Sequence, residues 1–310
     1  MNKIVSMLIL GGISLLTAGC INPLPGSLDA TESEPEALKL LAESARAHGG
    51  DERFARVQQI HVHYDGQWLG RVWRFQPVLV DRGYRKSSRE VIRYGDGWPS
   101  VHQIHSGPDG TKRVLWPADD LSAAATGGKL AFEPPIDGGA AVLYNGQPPE
   151  DADKRALQEE AAAMVVEAYR MFLTAPFYFT QRTGRAESAT GSMVAVMSEP
   201  DEVKGVACDQ VLVELRPGIG ESEVDRVQVA IARDTGLVRR VRFSLDGFTN
   251  TQGATADVEL SGFVQVGGLT LPTAFLEIVT FPLNREVHRW QALELRVQFD
   301  GTAEQSEWSR

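Results

Sequence analysis

The sequence predicts an α+β fold in which two helices cover one large, curved antiparallel sheet. Three observations carry that expectation. Between residues 192 and 299 the chain reads as successive extended runs separated by turn residues. Only two segments, one opening near Ser33 and one from Asp151 to Thr174, show strong helical apolar spacing. The links between extended runs are too short to carry crossover helices, so consecutive runs must be antiparallel neighbours.

The elements follow in order. In Ser33-Glu34-Pro35-Glu36, Ser33 is placed to cap a helix and Glu36 to reach back to it. Leu38, Leu41, Ala42 and Ala45 share one face, and Gly49-Gly50 closes the element. Ile60, Val62 and Tyr64 alternate with His61 and His63, which predicts a strand. A second strand is expected to place Trp73, Phe75 and Leu79 on one face, opposite Arg74 and Gln76. Tyr94-Gly95-Asp96-Gly97-Trp98 carries an Asp-Gly hairpin turn, and Arg113 to Trp116 is a further short strand. Residues 117–149 are rich in glycine and proline and lose the pattern, apart from a short extended run at Ala140 to Tyr144. In the long helix, Leu157, Ala161, Met164, Val165, Ala168, Met171 and Phe172 form one apolar stripe, and Pro176 stops it. The meander then runs through Ser192–Met197, Ala207–Leu215, Val224–Ala232, Leu237–Leu245, Asp257–Val266, Leu269–Phe281 and Val287–Phe299.

The first twenty residues have another character. Met1-Asn2-Lys3 precedes an apolar stretch from Ile4 to Leu16, then Thr17-Ala18-Gly19-Cys20. A positive start, an apolar middle and small residues before a cut describe an export leader, too short to span a bilayer. Cysteine directly after the small pair resembles the lipobox of bacterial lipoproteins, although Thr17 stands where that family prefers leucine. The resemblance implies cleavage before Cys20, lipidation of its thiol and acylation of the new amino group. Two or three chains hold a protein on a membrane where one does so only marginally. Residues 20–34 then read as a lipidated cysteine and flexible tether, and residues 35–310 as a single folded domain. Ile21, rather than aspartate, after the cysteine leans toward the outer membrane by that family's sorting rule.

Composition narrows the function. The 310 residues are 43% hydrophobic and 23% charged, an ordinary globular balance. The formal net charge is -10, and loss of Lys3 with the leader makes it more negative. Such a body does not bind nucleic acid non-specifically. Cys20 and Cys208 are the only cysteines, so lipidation of the first leaves no intrachain disulfide. Cys208 sits in a strand pattern beside Asp209 and reads as a small buried hydrophobe.

No serine-hydrolase elbow, phosphate loop, dinucleotide fingerprint, zinc-protease helix or calcium loop appears. His61 and His63 have a spacing that can hold a metal, with His102 and His105 as further candidates, but strand histidines on a polar face are usually solvated. No metal or cofactor is expected. Trp73, Phe75, Leu79, Met164, Met171 and Phe172 form apolar sets that are either core or the wall of a cavity suited to apolar guests. Phe177 and Phe179, just past the long helix, join them as candidate ligand-binding residues.

The layout of helix, strands, interrupting helix and closing hairpins is similar to the LolA/LolB-type fold of lipoprotein carriers and lipid-binding lipoproteins. Ala47-His48-Gly49-Gly50, Leu173 to Phe179, and the run from Asp234-Thr235-Gly236-Leu237 to Leu269-Thr270-Leu271-Pro272 carry the likeness. It implies an incomplete antiparallel barrel with helices as a lid over an apolar cavity. The expected function is a non-catalytic, lipid-anchored cell-envelope protein that binds a lipid or lipid-modified partner. The alternatives are an envelope scaffold with a packed interior and, less favoured, a hydrolytic enzyme. Cys20→Ser is expected to move the protein from the membrane to the soluble fraction on cell fractionation; continued membrane retention contradicts the anchor.

Overall fold

The computed structural model describes residues 24, 28, 30–95, 99–117, 139–182, 191–220, 222–300 and 305–310. Among them the fold is α+β, built on a thirteen-stranded open antiparallel sheet. Its longer helices are the N-terminal α1 (Pro35–Ala47) and the mid-chain α4 (Ala152–Thr174). Short helices are α2 (Asp51–Phe54), α3 (Pro77–Val80) and α5 (Phe177–Thr180).

Two meanders meet at the centre of the sheet. Strand β1 (Val57–Trp68) is followed outward by β2 (Ser87–Arg93), β3 (Ser100–Gly107), β4 (Gly110–Trp116) and β5 (Ala141–Tyr144), which forms one edge. The other meander starts at the opposite edge with β6 (Ser192–Val203). It runs inward through β7 (Val206–Arg216), β8 (Asp225–Ala232), β9 (Val238–Ser244), β10 (Thr255–Ser261), β13 (Ala274–Phe281) and β14 (Arg285–Phe299). β14 pairs with β1, and β15 (Gln305–Ser309) adds to β14. The connection between the two edges contains α4, so the helix packs on the concave face in carrying the chain from β5 to β6.

Alternation sets the faces. Ile60, Val62 and Tyr64 are buried on the concave side, opposite the half-buried His61 and His63. The expected runs at 257–266 and 269–281 each divide, because Gly262 and Thr273 interrupt them; Thr273 Oγ1 donates to Gly262 O at 2.5 Å. The intervening pieces, β11 (Val264–Val266) and β12 (Leu269–Leu271), form a separate ribbon. That ribbon receives the end of α1. Gly49, at φ +117°, packs so closely that a Cβ would stand 2.4 Å from Gly268 O. The expected cap at Ser33 is absent. Ser33 Oγ accepts from Ala195 N at 3.0 Å and Glu34 Oε2 from Met197 N at 2.7 Å, so the two side chains tie the start of α1 to β6. The expected strand through Trp73 and Leu79 is instead a 3-10 turn at Val72–Arg74 followed by α3, with Pro77 in its first turn. The Asp96-Gly97-Trp98 turn lies outside the described residues, although β2 and β3 pair as its flanks require.

Two buried polar nodes fix the helices. His48, fully buried after α1, donates from Nδ1 to Thr270 O at 2.7 Å and accepts from Val238 N on Nε2 at 3.1 Å. The accepting role of Nε2 specifies a neutral ring, and burial lowers its pKa to about 4 against the weaker opposing pull of the Thr270 bond. Glu167 of α4 takes bonds from Arg182 at 3.1 Å, Arg170 at 3.5 Å, Tyr178 Oη at 2.7 Å and Gly220 N at 3.1 Å. All four groups come from separate turns of chain around one carboxylate.

A histidine whose folded pKa is depressed stabilises the fold fully above its unfolded value and progressively less as pH falls toward the folded value. The His48 contribution therefore declines from pH 6.5 toward about 4. His48→Gln should flatten the wild-type loss between pH 7 and pH 5 by about 2 kcal/mol in urea denaturation; an unchanged pH slope contradicts the neutral clamp. Glu167→Ala removes the buried carboxylate that Arg170 and Arg182 share and is expected to lower unfolding free energy by about 3–5 kcal/mol, read from the same titrations at pH 7.

Candidate functional site

The space between α4 and the sheet is filled. Tyr169 stacks on Trp290 at 5.0 Å, Trp290 on Phe275 at 5.1 Å, and Phe172 packs edge-on against Phe243 at 5.3 Å. Met164, Met171, Phe172, Phe177 and Phe179 are all buried in this core, with Phe54 stacked on Phe177 at 4.2 Å. Among the described residues, slots of about 20 and 10 Å³ lie beneath the helix, beside Arg85, His105 and Tyr169 and beside Lys112 and Ala161. Among the described residues, the space expected to be an apolar void under the long helix holds these side chains. Large aromatic side chains from three elements occupy that volume.

Apolar space appears instead at one end of the sheet. A groove of about 370 Å³ lies between the 72–80 segment and the end of the β13–β14 hairpin. Val72, Phe75 and Leu79 form one wall; Val279, Phe281 and Leu283 face them. The volume lies within the range of small-molecule sites. Two other grooves of comparable size mix charged and apolar side chains: one is lined by His61, Arg89, Ile104, Glu294, Leu295 and Arg296, the other by Asp65, Lys204, Phe275, Leu276, Arg289 and Trp290.

Local sequence explains the walls. Gly70, at φ +60°, lets the chain leave β1 after Trp68, and Asp81, left-handed at φ +40°, ends α3. Gln76 Nε2 donates to Asn250 O at 2.9 Å and bridges the 3-10 segment to the β9–β10 connection. Arg85 donates to Leu79 O and, at 3.1 Å, to Tyr169 Oη, which pins the end of α3. Trp68 stacks on His288 at 3.9 Å beneath the guanidinium of Arg85, 5.3 Å from the ring centre. In register, Trp68 pairs with His288 and His288 with Glu277, so three strands meet at the groove floor.

Glu277 is the acidic side chain of that lining. The ring nitrogen His288 Nδ1 lies 3.9 Å from its carboxylate. Burial raises the Glu277 pKa to about 7 against the opposing attraction of Arg85, whereas burial, aided by Arg85, holds His288 well below the usual histidine range. The groove floor thus carries a carboxyl that titrates near neutrality beside a neutral imidazole.

Of the sequence-derived candidates, the structure brings Phe75 and Leu79 together in the groove and leaves Trp73 at its outer rim. Cys20 lies outside the described residues. His61, His63 and His102 share the outer face, with β2 between β1 and β3, while His105 is buried on the opposite face. Among the described residues no group of three or more His, Cys, Asp or Glu is placed to hold a metal ion. Trp68, Glu277, Phe281 and Leu283 were not anticipated. The available signal was the apolar Phe281-Pro282-Leu283 in a hairpin turn, where polar residues are the norm.

No family model matches the chain, and no curated protein matches it significantly. Among solved structures, a DUF1329 family protein from Desulfovibrio piger is similar at 10% identity, with 88% of this chain and 96% of that chain covered and a TM-score of 0.44. A LolA superfamily protein from Nitrosomonas europaea follows at 12% identity, 84% and 94% coverage and a TM-score of 0.39. A domain described as an outer membrane lipoprotein-sorting protein, from Vibrio parahaemolyticus, is similar at 9% identity, 87% and 94% coverage and a TM-score of 0.37. The structural neighbours are thus LolA-superfamily and DUF1329 proteins at low sequence identity. Among the described residues no helix is long and apolar enough to cross a membrane.

Proposed function

We propose that this protein is a lipid-anchored cell-envelope lipoprotein that binds the apolar tail of a lipid, or of a lipid-modified protein, in the groove at the end of its sheet, without catalysis. The observation that carries the reading is the groove itself: an apolar-lined volume of about 370 Å³ open at the surface, walled by Phe75, Leu79, Val279 and Phe281. Burying a tail there gains roughly 25 cal/mol per Å² of apolar surface removed from water. The lipobox-like Thr17-Ala18-Gly19-Cys20 supports an envelope location, and Ile21 supports the outer membrane.

The filled space beneath α4 favours a second reading, an envelope interaction protein that holds no guest. Ligand uptake separates the two. Purified Cys20→Ser protein is expected to take up a fluorescent long-chain fatty-acid analogue. Leu79→Asp, which places a charge in the wall, should weaken that uptake at least roughly tenfold, the cost of leaving a charge against an apolar guest. Fluorescence titration checks both. Absence of uptake by the parent selects the interaction protein, and unchanged uptake by a folded Leu79→Asp variant moves the guest elsewhere.

A further inference from the structure

The large apolar side chains that remain exposed are gathered at one place. Among the described residues they are Trp73, 37% exposed, Phe75, 69%, Phe281, 42%, and Leu283, 43%. Phe75, Phe281 and Leu283 form the lips of the groove, and Trp73 stands beside Phe75 on the same 3-10 turn. Scattered exposed hydrophobes need no explanation, but four on one rim do.

The charge around them runs against the rest of the protein. The chain carries a net charge of -10, yet between Trp68 and Arg89 it has Arg71, Arg74, Arg82, Arg85, Lys86 and Arg89 against Asp81 alone. Asp81 is itself held inward, 3.0 Å from Lys112 Nζ and 2.8 Å from Tyr144 Oη. Arg74 and Arg82 flank Trp73 at 5.2 and 5.5 Å from its ring. Arg71, Arg74, Arg82 and, on the facing hairpin, Arg285 are exposed and make no ion pair among the described residues. The nearby acids are already engaged: Glu286 pairs with Arg289 at 3.1 Å, and Asp246 accepts from Gly253 N at 2.7 Å. Aromatic rings flanked by free guanidinium groups are the chemistry of a lipid headgroup layer. There the rings sit at the interface and the cations meet phosphates.

The placement of Leu28 points the same way. Leu28 N donates to Glu214 Oε2 at 3.2 Å. Glu214 pairs with Arg226 on β8, the next residue Val227 with Phe243 on β9, Ser244 with Thr255 on β10, and Thr255 with Phe281 on β13. Glu214, which holds Leu28, and Phe281 at the rim therefore lie at one level of the sheet, at most about 19 Å apart over four strand spacings. Cys20 is eight residues before Leu28, and eight residues of chain reach at most about 27 Å. A lipid on Cys20 and the rim can lie in the same bilayer surface.

We propose that the rim formed by Trp73, Phe75, Phe281 and Leu283, with Arg71, Arg74, Arg82 and Arg285 around it, is a second membrane contact that docks the open end of the sheet onto an anionic bilayer. The contact does not depend on whether the groove holds a guest. It sets the orientation of the body on the membrane, which a single N-terminal anchor does not fix.

Sedimentation of the Cys20→Ser protein with vesicles tests this without the anchor. Vesicles of phosphatidylcholine with about one third phosphatidylglycerol should bind at least roughly tenfold more tightly than phosphatidylcholine alone, and less so at high salt. Arg74→Glu with Arg82→Glu should abolish most of that preference, and Trp73→Ser with Phe75→Ser should weaken binding to either vesicle. All four positions are exposed, and circular dichroism melts verify the fold. Leu79→Asp should still bind anionic vesicles, so failure of guest uptake and failure of docking are read separately. Equal binding to both vesicles, no binding, or unaltered binding by the folded arginine variant overturns the proposal. So does a rim-dependent dimer in sedimentation velocity that excludes vesicles.

Discussion

One carboxylate holds this architecture in its particular form. Glu167 lies at the middle of α4, the helix that carries the chain from one free edge of the sheet to the other. It neutralises Arg170 and Arg182 in the dry interior and also receives Tyr178 Oη and Gly220 N. Through those bonds it fixes α4 to the segment behind α5 and to the β7–β8 connection. Such clusters are not strong sources of net stability, because desolvation offsets most of the attraction. Their effect is on geometry. A helix held in this way cannot lift from the sheet as a hinged flap without breaking the Glu167 bonds to Arg182, Tyr178 and Gly220.

The position of the groove follows from that constraint. With α4 held down, its lower face meets the sheet directly, and Tyr169, Phe172, Trp290 and Phe275 interleave. Interiors pack to the density of organic crystals, so no acyl-sized gap survives under a helix seated this way. Among the described residues the exposed large apolar side chains lie beyond the helix, where the sheet's end is finished by irregular segments. The 3-10 turn and α3 on one side and the β13–β14 turn on the other are too short to close over one another.

The sheet was largely legible because its signals are local. Alternation at Ile60, Val62 and Tyr64, and the short links from Ser192 to Phe299, require an antiparallel meander with one buried face. The site was less legible for a physical reason. Apolar side chains at helical spacing, such as Met164 and Met171, look alike whether they touch a guest or the next strand. Only the tertiary distance between helix and sheet decides, and a node such as Glu167 sets that distance from residues 11 and 15 positions away. Trp73, Phe75 and Leu79 were recognised as a set but assigned to a strand. Pro77 and the left-handed Asp81 divert that segment into turns, which swings Phe75 outward.

The groove also depends on a polar seam that hydrophobic patterning does not reveal. Glu90, Gln103, His105 and Lys112 are buried on the concave side of β2 to β4, under the first half of α4. Burial raises the Glu90 pKa to about 7, lowers Lys112 to about 8, and holds His105 well below the ordinary value. Each burial effect favours the neutral form, and at Lys112 the Asp81 carboxylate 3.0 Å away opposes it. Arg85 donates both to Leu79 O in the groove wall and to Tyr169 Oη on α4, and its guanidinium covers Trp68 on the groove floor. The wall of the apolar site is therefore positioned by a charge that belongs to the interior. An arginine in that place makes the shape of the groove, the seating of α4 and the protonation of the seam parts of one equilibrium.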